Sequence, residues 1–436
     1  MNGELPKGWV WTSLGDICNI LTSGNPAPQG KDFFENGKFP FVRVQDMGQL
    51  RNNVYIHETK DYINEKAAIK MKLFPKGSVL FTKSGMSILL NQRAILSRDM
   101  YVVSHIGVLY SNKILPEWIY YWLKTIDFKE LAHATTLPSL PLSKIIELKI
   151  PLPPLAEQQR IVNKIEELFT NLDKGVESLD QVKSKLKVYR QAILKYAMEG
   201  KLTEKWREEN KDKIELELSK LRKITEEKQN ILNFIRSNEL NDGNFPYSWI
   251  RLRLIDLTNF INPGFPCGRH NMESKGIIHI RPMNIDKEGR INLAKTKYVE
   301  IENYDSLMKG DILFNNTNSS ELVGKTTYID SDTNWAYSNH MTRIRIKNPL
   351  VNNKWISTYL HFLFTCGYFG KICVHHVNQS SVGSKYLSEK ILLPIPCLSE
   401  QSLIIQYIEQ YFSLIDKNYE SITYQLEQSK ILRQSI

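Results

Sequence analysis

One sequence pattern occurs twice in this chain of 436 residues, and no other feature constrains the fold as strongly. The offset between the copies drifts between 233 and 243 residues, as loop insertions and deletions would produce. The matched segments are Leu5–Val10 with Phe245–Ile250, Leu14–Ile17 with Leu254–Leu257, Phe41–Val44 with His279–Pro282, Lys76–Phe81 with Lys309–Phe314, Val103–His105 with Ser338–His340, and Ile150–Gln158 with Leu393–Gln401. So many matches in one order predict two similar folded units, because a single core rarely grows to this size.

Each copy opens with a stretch of mixed character. Short β-rich runs such as Gly77–Thr82 and Asp311–Phe314 alternate with turns rich in Gly, Asn and Ser. Aromatic-rich segments at Pro116–Ile126 and Asn353–Thr365 have the character of helices. This mixture predicts an α+β domain with long polar loops, and it leaves the strand order open.

Each copy closes with a long helix after a Pro-rich stop. Glu157 and Glu400 fall in the first turn, where the helix dipole favours an acidic side chain. Steps of three and four predict a heptad seam at Ile161, Ile165, Leu168, Leu172, Leu179, Val182, Leu186, Tyr189, Ile193 and Tyr196 in the first copy, and at Ile404, Ile408, Tyr411, Ile415 and Ile422 in the second. The simplest cover for each stripe is the other helix, packed antiparallel. The alternative is that each stripe packs on its own domain.

The repeat divides the chain into four segments. Residues 1–150 and 244–395 form the two globular domains, residues 151–243 form the first helix with a linker, and residues 396–436 form the second helix. Within the linker, apolar residues from Ile214 to Ile235 predict a further amphipathic helix, which a turn at 241–243 would end.

Positive charge collects in the two globular segments. Residues 1–150 carry 18 Lys and Arg against 13 Asp and Glu, and residues 244–395 carry 18 against 12. The helical segments carry little net charge, so the domains account for most of the formal net charge of +10. Two basic domains suit phosphate binding at two places, although an excess of this size also occurs as ordinary surface variation.

The cysteines and the hydropathy of the sequence indicate in which cellular compartment the protein works. The five cysteines are scattered and odd in number, which argues against a zinc site and a disulfide framework and fits the cytoplasm. Apolar runs stay far shorter than the ~20 residues of a membrane span, and the first residues do not resemble an export signal. We therefore expect a cytoplasmic protein that does not enter a membrane.

Motifs typical of an enzyme occur in this sequence only in incomplete form. Asn262–Phe265 only partly resembles the Asn-Pro-Pro-Tyr/Phe motif of adenine methyltransferases, since Gly264 replaces a proline. Gly324–Thr326 ends like a phosphate-binding loop, but Ser319 stands where the first glycine is required. Residues 226–228 contain the Glu-x-Lys of many nucleases, but a solvent-exposed face of a charged helix explains them more simply. The adjacent His375 and His376 could bind a metal, but neighbouring side chains on a strand point in opposite directions. We therefore expect neither catalytic residues nor a metal site in this chain.

Three motifs carry a family resemblance. They are the Leu-Pro-x-Gly-Trp opening at Leu5–Trp9, the Pro-Leu-Pro-Pro-Leu-Ala-Glu-Gln-Gln-Arg-Ile helix entry at 151–161, and the segment Gly-Lys-Leu-Thr-Glu-Lys-Trp-Arg at Gly200–Arg207. Together they resemble the specificity subunit of type I restriction-modification systems, over essentially the whole chain. The second copy departs from the helix entry where Cys397 replaces Pro154 and Ser402-Leu403 replaces Gln159-Arg160.

The resemblance implies both a fold and a division of labour. The fold would be α+β, with two globular target recognition domains in pseudo-two-fold tandem, separated by two long antiparallel coiled-coil helices. Each domain would read one half of an asymmetric, split site in double-stranded DNA. The helices would dock two adenine-N6 methyltransferase (M) subunits, and motor-nuclease restriction (R) subunits would join them. The S-adenosylmethionine, ATP and Mg²⁺ would belong to those partners, so this chain itself would need no cofactor.

Candidates for DNA contact are polar loop residues at matched places in the two copies. Lys and Arg position a protein on phosphates, while Asn, Gln, Arg and hydroxyl side chains read base edges. In the first copy the candidates are Arg43, Gln45, Lys83, Ser84, His105, Thr135, Thr136 and Ser139, the last three from one loop. In the second copy they are Arg281, Asn284, Asn315, Asn316, Asn339, His340, Asn378, Gln379 and Ser381. For any single residue the alternative is a capping or turn role.

Two rival functions stay open at this point. One is a self-contained nuclease or methyltransferase, which the incomplete motifs disfavour. The other is a coiled-coil interaction protein outside restriction-modification, whose basic domains bind RNA or acidic proteins. Because the two copies differ most in their polar loops, the leading hypothesis predicts a DNA target with two different halves.

Overall fold

The computed structural model describes residues 4–48, 54–132, 138–226, 245–258, 260–267 and 269–436. Contacts divide the chain into two units, the first reaching to Gly175 and including Ile431–Ile436, the second comprising Val176–Lys430. Both boundaries fall inside long helices, so each unit holds one globular domain and parts of both helices.

The first unit is an α+β domain, as the sequence predicted. Its strands are β1 (Val10–Ser13), β2 (Ile20–Ser23), β3 (Phe39–Val42), β4 (Tyr55–Ile56), β5 (Asp61–Ile63), β6 (Val79–Thr82), β7 (Arg93–Leu96), β8 (Tyr101–Val102), β9 (Ile106–Tyr110) and β10 (Lys149–Leu152). Its helices are α1 (Leu14–Ile17), α2 (Val44–Gly48), α3 (Glu65–Ala68), α4 (Pro116–Lys124), α5 (Phe128–Leu131) and α6 (Leu142–Ile146), followed by the long α7 (Leu155–Met198). Short 3₁₀ turns lie at Lys31–Phe33 and Met86–Leu90.

The second unit repeats this order of elements. After a 3₁₀ turn at Lys201–Thr203 come α8 (Glu204–Glu209), α9 (Lys211–Glu226), β11 (Ile250–Arg253), α10 (Leu254–Leu257), β12 (Phe260–Pro263), β13 (Ile277–Ile280), a 3₁₀ turn at Pro282–Asn284 and β14 (Tyr298–Val299). Then follow β15 (Ile312–Asn315), β16 (Thr317–Asn318), β17 (Thr326–Tyr328), β18 (Ala336–Tyr337) and β19 (Met341–Arg345). The unit closes with α11 (Asn353–Thr365), α12 (Tyr368–Ile372), β20 (Val374–His375), β21 (Ser380–Ser381), α13 (Ser384–Glu389), β22 (Leu392–Ile395) and the long α14 (Leu398–Ser435).

The sheets of the two units correspond, except that β4 of the first unit has no counterpart among the sheets of the second. The first unit has a sheet of order β2-β9-β6-β7-β4, which the second repeats as β12-β19-β15-β17. The sheet β5-β3-β8 is repeated as β14-β13-β18, and the antiparallel pair β1-β10 is repeated as β11-β22. The second unit adds a small sheet of order β16-β21-β20. The internal repeat in the sequence is therefore a repeat of topology.

Matched residues of the repeat hold matched contacts. The Trp9 ring meets Trp118 edge to face at 5.7 Å, and Trp249 meets Trp355 in the same way at 5.4 Å. Such edge-to-face pairs stabilise a core beyond the area that they bury. A glycine stands at the same place in both copies because a neighbouring backbone segment leaves no room for a side chain. A Cβ at Gly24 would lie 2.3 Å from the carbonyl oxygen of Val103, and the matched glycine of the second copy has the same constraint. The repeated residues are those that the fold needs twice.

The two long helices run antiparallel within the second unit. Lys183 Nζ lies 4.6 Å from the centre of the Tyr419 ring, and Arg190 lies 3.7 Å from that of Phe412. The contacting residues have rising numbers along α7 and falling numbers along α14, which confirms the prediction that the helices are antiparallel in this unit. A true coiled-coil geometry stays a prediction.

The predicted heptad seam on α7 is right at six of its ten positions, which are Ile161, Ile165, Leu172, Leu179, Leu186 and Ile193. Ile193 is buried, and Leu172, Leu179 and Leu186 are half-buried, as expected. The intervening positions are wrong, since Leu168, Val182, Tyr189 and Tyr196 are exposed and the covered residues are Phe169, Val176, Lys183, Arg190 and Ala197. On α14 the predicted Tyr411 is likewise exposed, and Phe412 is covered.

The cause of this error is that cations fill part of the seam. Long Lys and Arg side chains can lay apolar stems and flat heads along aromatic faces. Arg190 does so on Phe412 and also pairs with Asp416, with Nη1 and Oδ1 2.8 Å apart. A pattern search that treats Lys183 and Arg190 as surface residues shifts the stripe by one position.

The linker begins with the predicted amphipathic helix. Ile214, Leu218 and Leu221 of α9 are buried. Ile231, Ile235 and the turn predicted at 241–243 lie outside the described residues. None of the described helices combines the length and apolar character that crossing a membrane requires.

Candidate nucleic-acid interface

Three loops of the first domain meet at the end of β6. The amide of Lys83 donates to the carbonyl of His105 at 3.1 Å, and the amide of Leu140 donates to the carbonyl of Lys83 at 2.9 Å. Ser84 forms an antiparallel bridge with Ser139. Four residues predicted from separate parts of the sequence, Lys83, Ser84, His105 and Ser139, therefore lie together.

The second domain repeats this junction bond for bond. The amide of Asn316 donates to the carbonyl of His340 at 3.1 Å, and the amide of Val382 donates to the carbonyl of Asn316 at 2.9 Å. Thr317 pairs with Ser381 as Ser84 pairs with Ser139. We call these two arrangements the first and the second loop junction.

The two junctions share a backbone but differ in their side chains. His105 and Ser139 of the first junction are exposed, and Lys83 and Ser84 are half-buried. Asn339 and His340 of the second are half-buried. Different donor and acceptor groups on one framework are what two readers of different base sequences require.

A hairpin projects beside the second junction. Its strands β20 and β21 pair, and the amide of His376 donates to the carbonyl of Gln379 at 2.7 Å to close the turn. The turn carries Asn378 and Gln379, both exposed, next to a Val377 that is 99% exposed. His376 Nε2 lies 3.0 Å from the hydroxyl of Ser381, which anchors the base of the hairpin. Amides at an exposed tip can present both donors and acceptors to a groove.

Arg43 and Arg281 occupy equivalent places after β3 and β13. The amide of Arg43 donates to Asp46 Oδ2 at 2.7 Å, and that of Arg281 donates to Asn284 Oδ1 at 3.0 Å. The Arg43 guanidinium pairs with Asp61 and lies over the Phe34 and Phe41 rings, with centroids 5.4 and 5.7 Å away. The neighbouring Gln45 is exposed.

A cleft of about 680 Å³ opens in the second domain beside its junction. Its walls include Cys267, His270, His279, Arg281, Met283, Asn318, Lys325, Asn339 and His340. His270 Nε2 and His279 Nδ1 lie 2.9 Å apart, and the Phe265 ring is tilted by 33° against His279, with ring centroids 4.9 Å apart. Burial, with help from the His270 and Arg281 charges, lowers the pKa of His279 to about 4. The cleft thus brings Arg281, Asn339 and His340 together around the His270–His279 pair.

Three predicted residues serve the interior of the second domain. Asn284 is buried, accepting from Arg281 and donating to the carbonyl of Asn292 at 3.0 Å. Asn315 is buried and donates to the carbonyl of Leu322 at 3.1 Å. Asn316 is buried and donates to the carbonyl of Asn339 and to Thr342 Oγ1. These amides fix loops, which is the capping and turn alternative named above. Thr135 and Thr136 lie outside the described residues.

Some residues of the cleft were missed by sequence reasoning. Asn318 belongs to the same polar run as Asn315 and Asn316 but is half-buried and lines the cleft. His270 has no match in the first copy, so a search for matched positions could not find it. Strand alternation could not have separated the buried Asn316 from the half-buried Asn318, because residues two apart share one face.

The enzyme-like motifs have structural roles. Lys325 is buried, and its ammonium donates to the carbonyl of Pro282 at 2.7 Å, so it holds a loop instead of a phosphate. His375 and His376 each pair with a serine of β21, at 3.0 Å. Over the described ranges, no three His, Cys, Asp or Glu side chains gather as a metal site would require.

These features define a class of protein. Two α+β domains of one topology alternate with two long helices, and each domain presents a polar loop junction. Such an architecture is that of a tandem recognition scaffold. A family model described as the type I restriction modification DNA specificity domain matches residues 6–184 and again residues 246–428. The chain belongs to this family, which confirms the resemblance drawn from its motifs.

Named relatives agree with this assignment. The specificity subunit of the MjaIX type I restriction enzyme from Methanocaldococcus jannaschii is 35% identical over 46% of this chain and 46% of that relative. The EcoKI specificity subunit from Escherichia coli is 24% identical over 100% of this chain and 88% of that relative. The matched region thus spans about half the length of the first relative and most of the second. Both are named specificity subunits, in line with the expectation that the chain is a specificity subunit and not an enzyme.

Solved structures share the fold. A crystal structure of the HsdS subunit from Thermoanaerobacter tengcongensis superposes with a TM-score of 0.63 at 18% identity, covering 99% of this chain and 96% of that one. A chain from a study of assembly and conformational transition of the type I R-M system superposes with 0.65 at 17% identity, covering 100% and 97%. These likenesses confirm the predicted tandem α+β arrangement.

Proposed function

We propose that this chain is the DNA-reading subunit of a type I restriction-modification complex, in which each domain reads one half of a split target. The observation that carries the proposal is the pair of loop junctions. One backbone framework, marked by the Lys83–His105 and Asn316–His340 hydrogen bonds, presents different side chains in the two domains. A shared framework with divergent side chains suits two readers that dock alike and prefer different bases.

Phosphates and bases would be contacted by different residues. Lys83 and Arg281 would engage phosphates or guanine, because their cationic groups suit both. In the first domain we propose contacts from Arg43, Gln45, Ser84, His105, Thr135, Thr136 and Ser139. In the second we propose Asn339, His340, Asn378, Gln379 and Ser381, and we add Asn318. Asn284, Asn315 and Asn316 would act indirectly, by holding the loops that carry these residues.

The long helices would serve as a spacer and as a docking platform. Two M subunits would bind them, and R subunits would complete the restriction enzyme. S-adenosylmethionine, ATP and Mg²⁺ would be bound by those partners, while this chain would supply only the position on DNA. A helix advances 1.5 Å per residue, so its length sets the distance between two attached readers.

Reconstitution tests this proposal. The purified chain alone should neither methylate nor cut DNA, and adenine methylation should appear when its methyltransferase partner is added. Sequencing of the modified DNA should show a motif split by unspecified bases. Methylation by the isolated chain with S-adenosylmethionine would contradict the proposal, and so would a continuous motif.

A further inference from the structure

The start of α14 is covered by the segment that follows α7. The Glu400 carboxylate is fully buried there. Its Oε1 accepts from Thr203 Oγ1 at 2.7 Å and from Arg207 Nη1 at 2.6 Å, and its Oε2 accepts from Trp249 Nε1 at 3.0 Å. A buried carboxylate is tolerated because all its partners are polar and one is cationic.

The cover extends over an apolar surface. Ile214 and Leu218 of α9 pack with Cys397 and Ile250. Glu217 accepts hydrogen bonds from the amide and the hydroxyl of Ser399, both at the first turn of α14. The segment thus combines a Thr and an Arg, which bind a carboxylate, with an apolar helix face.

A glycine allows residues 200–221 to pack closely against the second domain. Gly200 has a φ of +71°, and a Cβ there would lie 2.3 Å from Pro246 Cγ. A side chain at position 200 would therefore meet both backbone strain and a collision. We call the surface under residues 200–221, made by Pro246, Trp249, Ile250, Cys397 and Glu400, the covered face.

In the part of the chain that the structure describes, the first unit has the same surface without a cover. Its equivalent residues, which we call the bare face, are Pro6, Trp9, Val10, Pro154, Leu155 and Glu157. Val10 and Leu155 are each 56% exposed, whereas the matched Ile250 and Leu398 are half-buried. Pro154 is exposed, whereas the matched Cys397 is buried. An apolar patch of this kind marks an interaction site more often than a free surface.

A buried polar atom points to what is absent from the bare face. The indole Nε1 of Trp9 is buried and has no hydrogen-bond partner among the residues that the structure describes, whereas Trp249 Nε1 donates to Glu400. The frame beneath repeats at a neighbouring glutamine. Gln158 and Gln401 each accept from a loop amide and donate to a proline carbonyl, as matched residues should. The two copies differ at the cover and not in the frame under it.

We propose that the bare face binds a segment of a partner polypeptide with the chemistry of residues 200–221. That segment would have a glycine against Pro6, a hydroxyl and a guanidinium for Glu157, and an apolar helix face for Val10 and Leu155. Glu157 would then accept a hydrogen bond from Trp9 Nε1, as Glu400 accepts from Trp249. A second copy of this chain is a poor occupant, because its own segment is already held by its Glu400.

A synthetic peptide with the sequence of residues 199–222 tests this proposal. We expect it to bind the full chain at one site in a fluorescence anisotropy titration. Glu157→Ala in the protein, or Arg207→Ala in the peptide, should weaken binding at least tenfold, and the two changes together should cost little more than either alone. Leu155→Ser, at an exposed position, should also weaken binding, while Glu177→Ala, at an exposed position of the same helix, should not.

Three results would overturn the proposal. One is no binding of the peptide to the natural chain. Another is equal affinity for the natural chain and for Glu157→Ala and Leu155→Ser, which would mean that the peptide binds elsewhere, for example by displacing the segment from Glu400. The last is a doubling of the mass of the free chain in solution that Leu155→Ser abolishes, because a second copy would then cover the bare face.

Discussion

Trp249 Nε1 donates a hydrogen bond to Oε2 of Glu400 at 3.0 Å, and this bond joins the residue just before β11 to the first turn of α14. The same carboxylate also binds Thr203 and Arg207. One buried group thus links the domain, the long helix and the segment between them. The matched residues Trp9 and Glu157 make no such link in the first unit as far as the structure describes it.

Glu400→Ala should strongly destabilise the second unit. The change leaves the Arg207 guanidinium, the Thr203 hydroxyl and the Trp249 indole without their acceptor. Breaking a buried ion pair from one side costs about 3–5 kcal/mol. Glu157→Ala, the matched change in the first unit, should stay within about 0.5 kcal/mol because that side chain has no comparable partners among the described residues. Urea denaturation of both variants measures the difference, and an equal loss in the two would contradict the role of the cover.

Acid should destabilise the second domain through His279. Burial lowers the pKa of this histidine from 6.5 to about 4 in the folded protein. At a pH between these two values, the unfolded chain therefore binds more protons than the folded chain. Stability should therefore fall as the pH drops from about 6.5 to about 4, by about 2 kcal/mol at pH 5 from this group alone. His279→Phe, which places the residue of the matched Phe41 there, should reduce this loss. Denaturation midpoints at pH 7.5 and pH 5 test it, with the exposed His57→Phe as the control. An unchanged difference in His279→Phe would show that other groups cause the acid sensitivity.

Arg190→Ala should loosen the helix pair in the second unit. The guanidinium stacks on Phe412 and pairs with Asp416, and its side chain is only 16% exposed. Loss of both contacts should cost about 1–3 kcal/mol, and Arg190→Lys should lie between, because an ammonium cannot reproduce the planar stack. Thermal unfolding gives the comparison. The exposed Lys187→Ala serves as the control, and a similar shift in both variants would argue against a seam filled by cations.

His105→Ala and His340→Ala should each relax recognition in a different half of the target. The two residues occupy matched positions in the first and second loop junctions. Loss of one base contact weakens discrimination at that position by about 1–3 kcal/mol and leaves distant positions unchanged. Binding of the complex with its methyltransferase partner to a set of half-site variants measures this. Lys66→Ala, an exposed change outside the junctions, is the control. Equal effects of both histidine changes on one half-site would exclude a separate role for each domain.

The sequence predicted the parts of the fold that are built from repetition. Trp9, Gly24 and Gln158 each have a counterpart in the second copy because the same contact is made twice. The positions of the long helices α7 and α14 could be predicted for the same reason, because each requires a long segment with regularly spaced apolar residues. The strand order could not be predicted, because it depends on pairings such as β3 with β8 that join residues about sixty positions apart.

The candidate site was predicted less completely. Polarity and matched position identified Lys83, His105, Asn339 and His340, but they could not separate outward side chains from amides that hold a loop. Asn315 and Asn316 look like base readers in sequence, yet both are buried and donate to carbonyl groups of their own domain. Only three-dimensional structure shows which way a polar loop turns.

Exchange of one domain tests the central claim most directly. Residues 244–395 would be replaced by the equivalent domain of another family member, and adenine methylation by the complex would be mapped by single-molecule sequencing. We expect a split motif in which one half changes while the other half and the spacer stay the same. A motif that changes in both halves, or that does not change at all, would contradict the account of two independent readers on one scaffold.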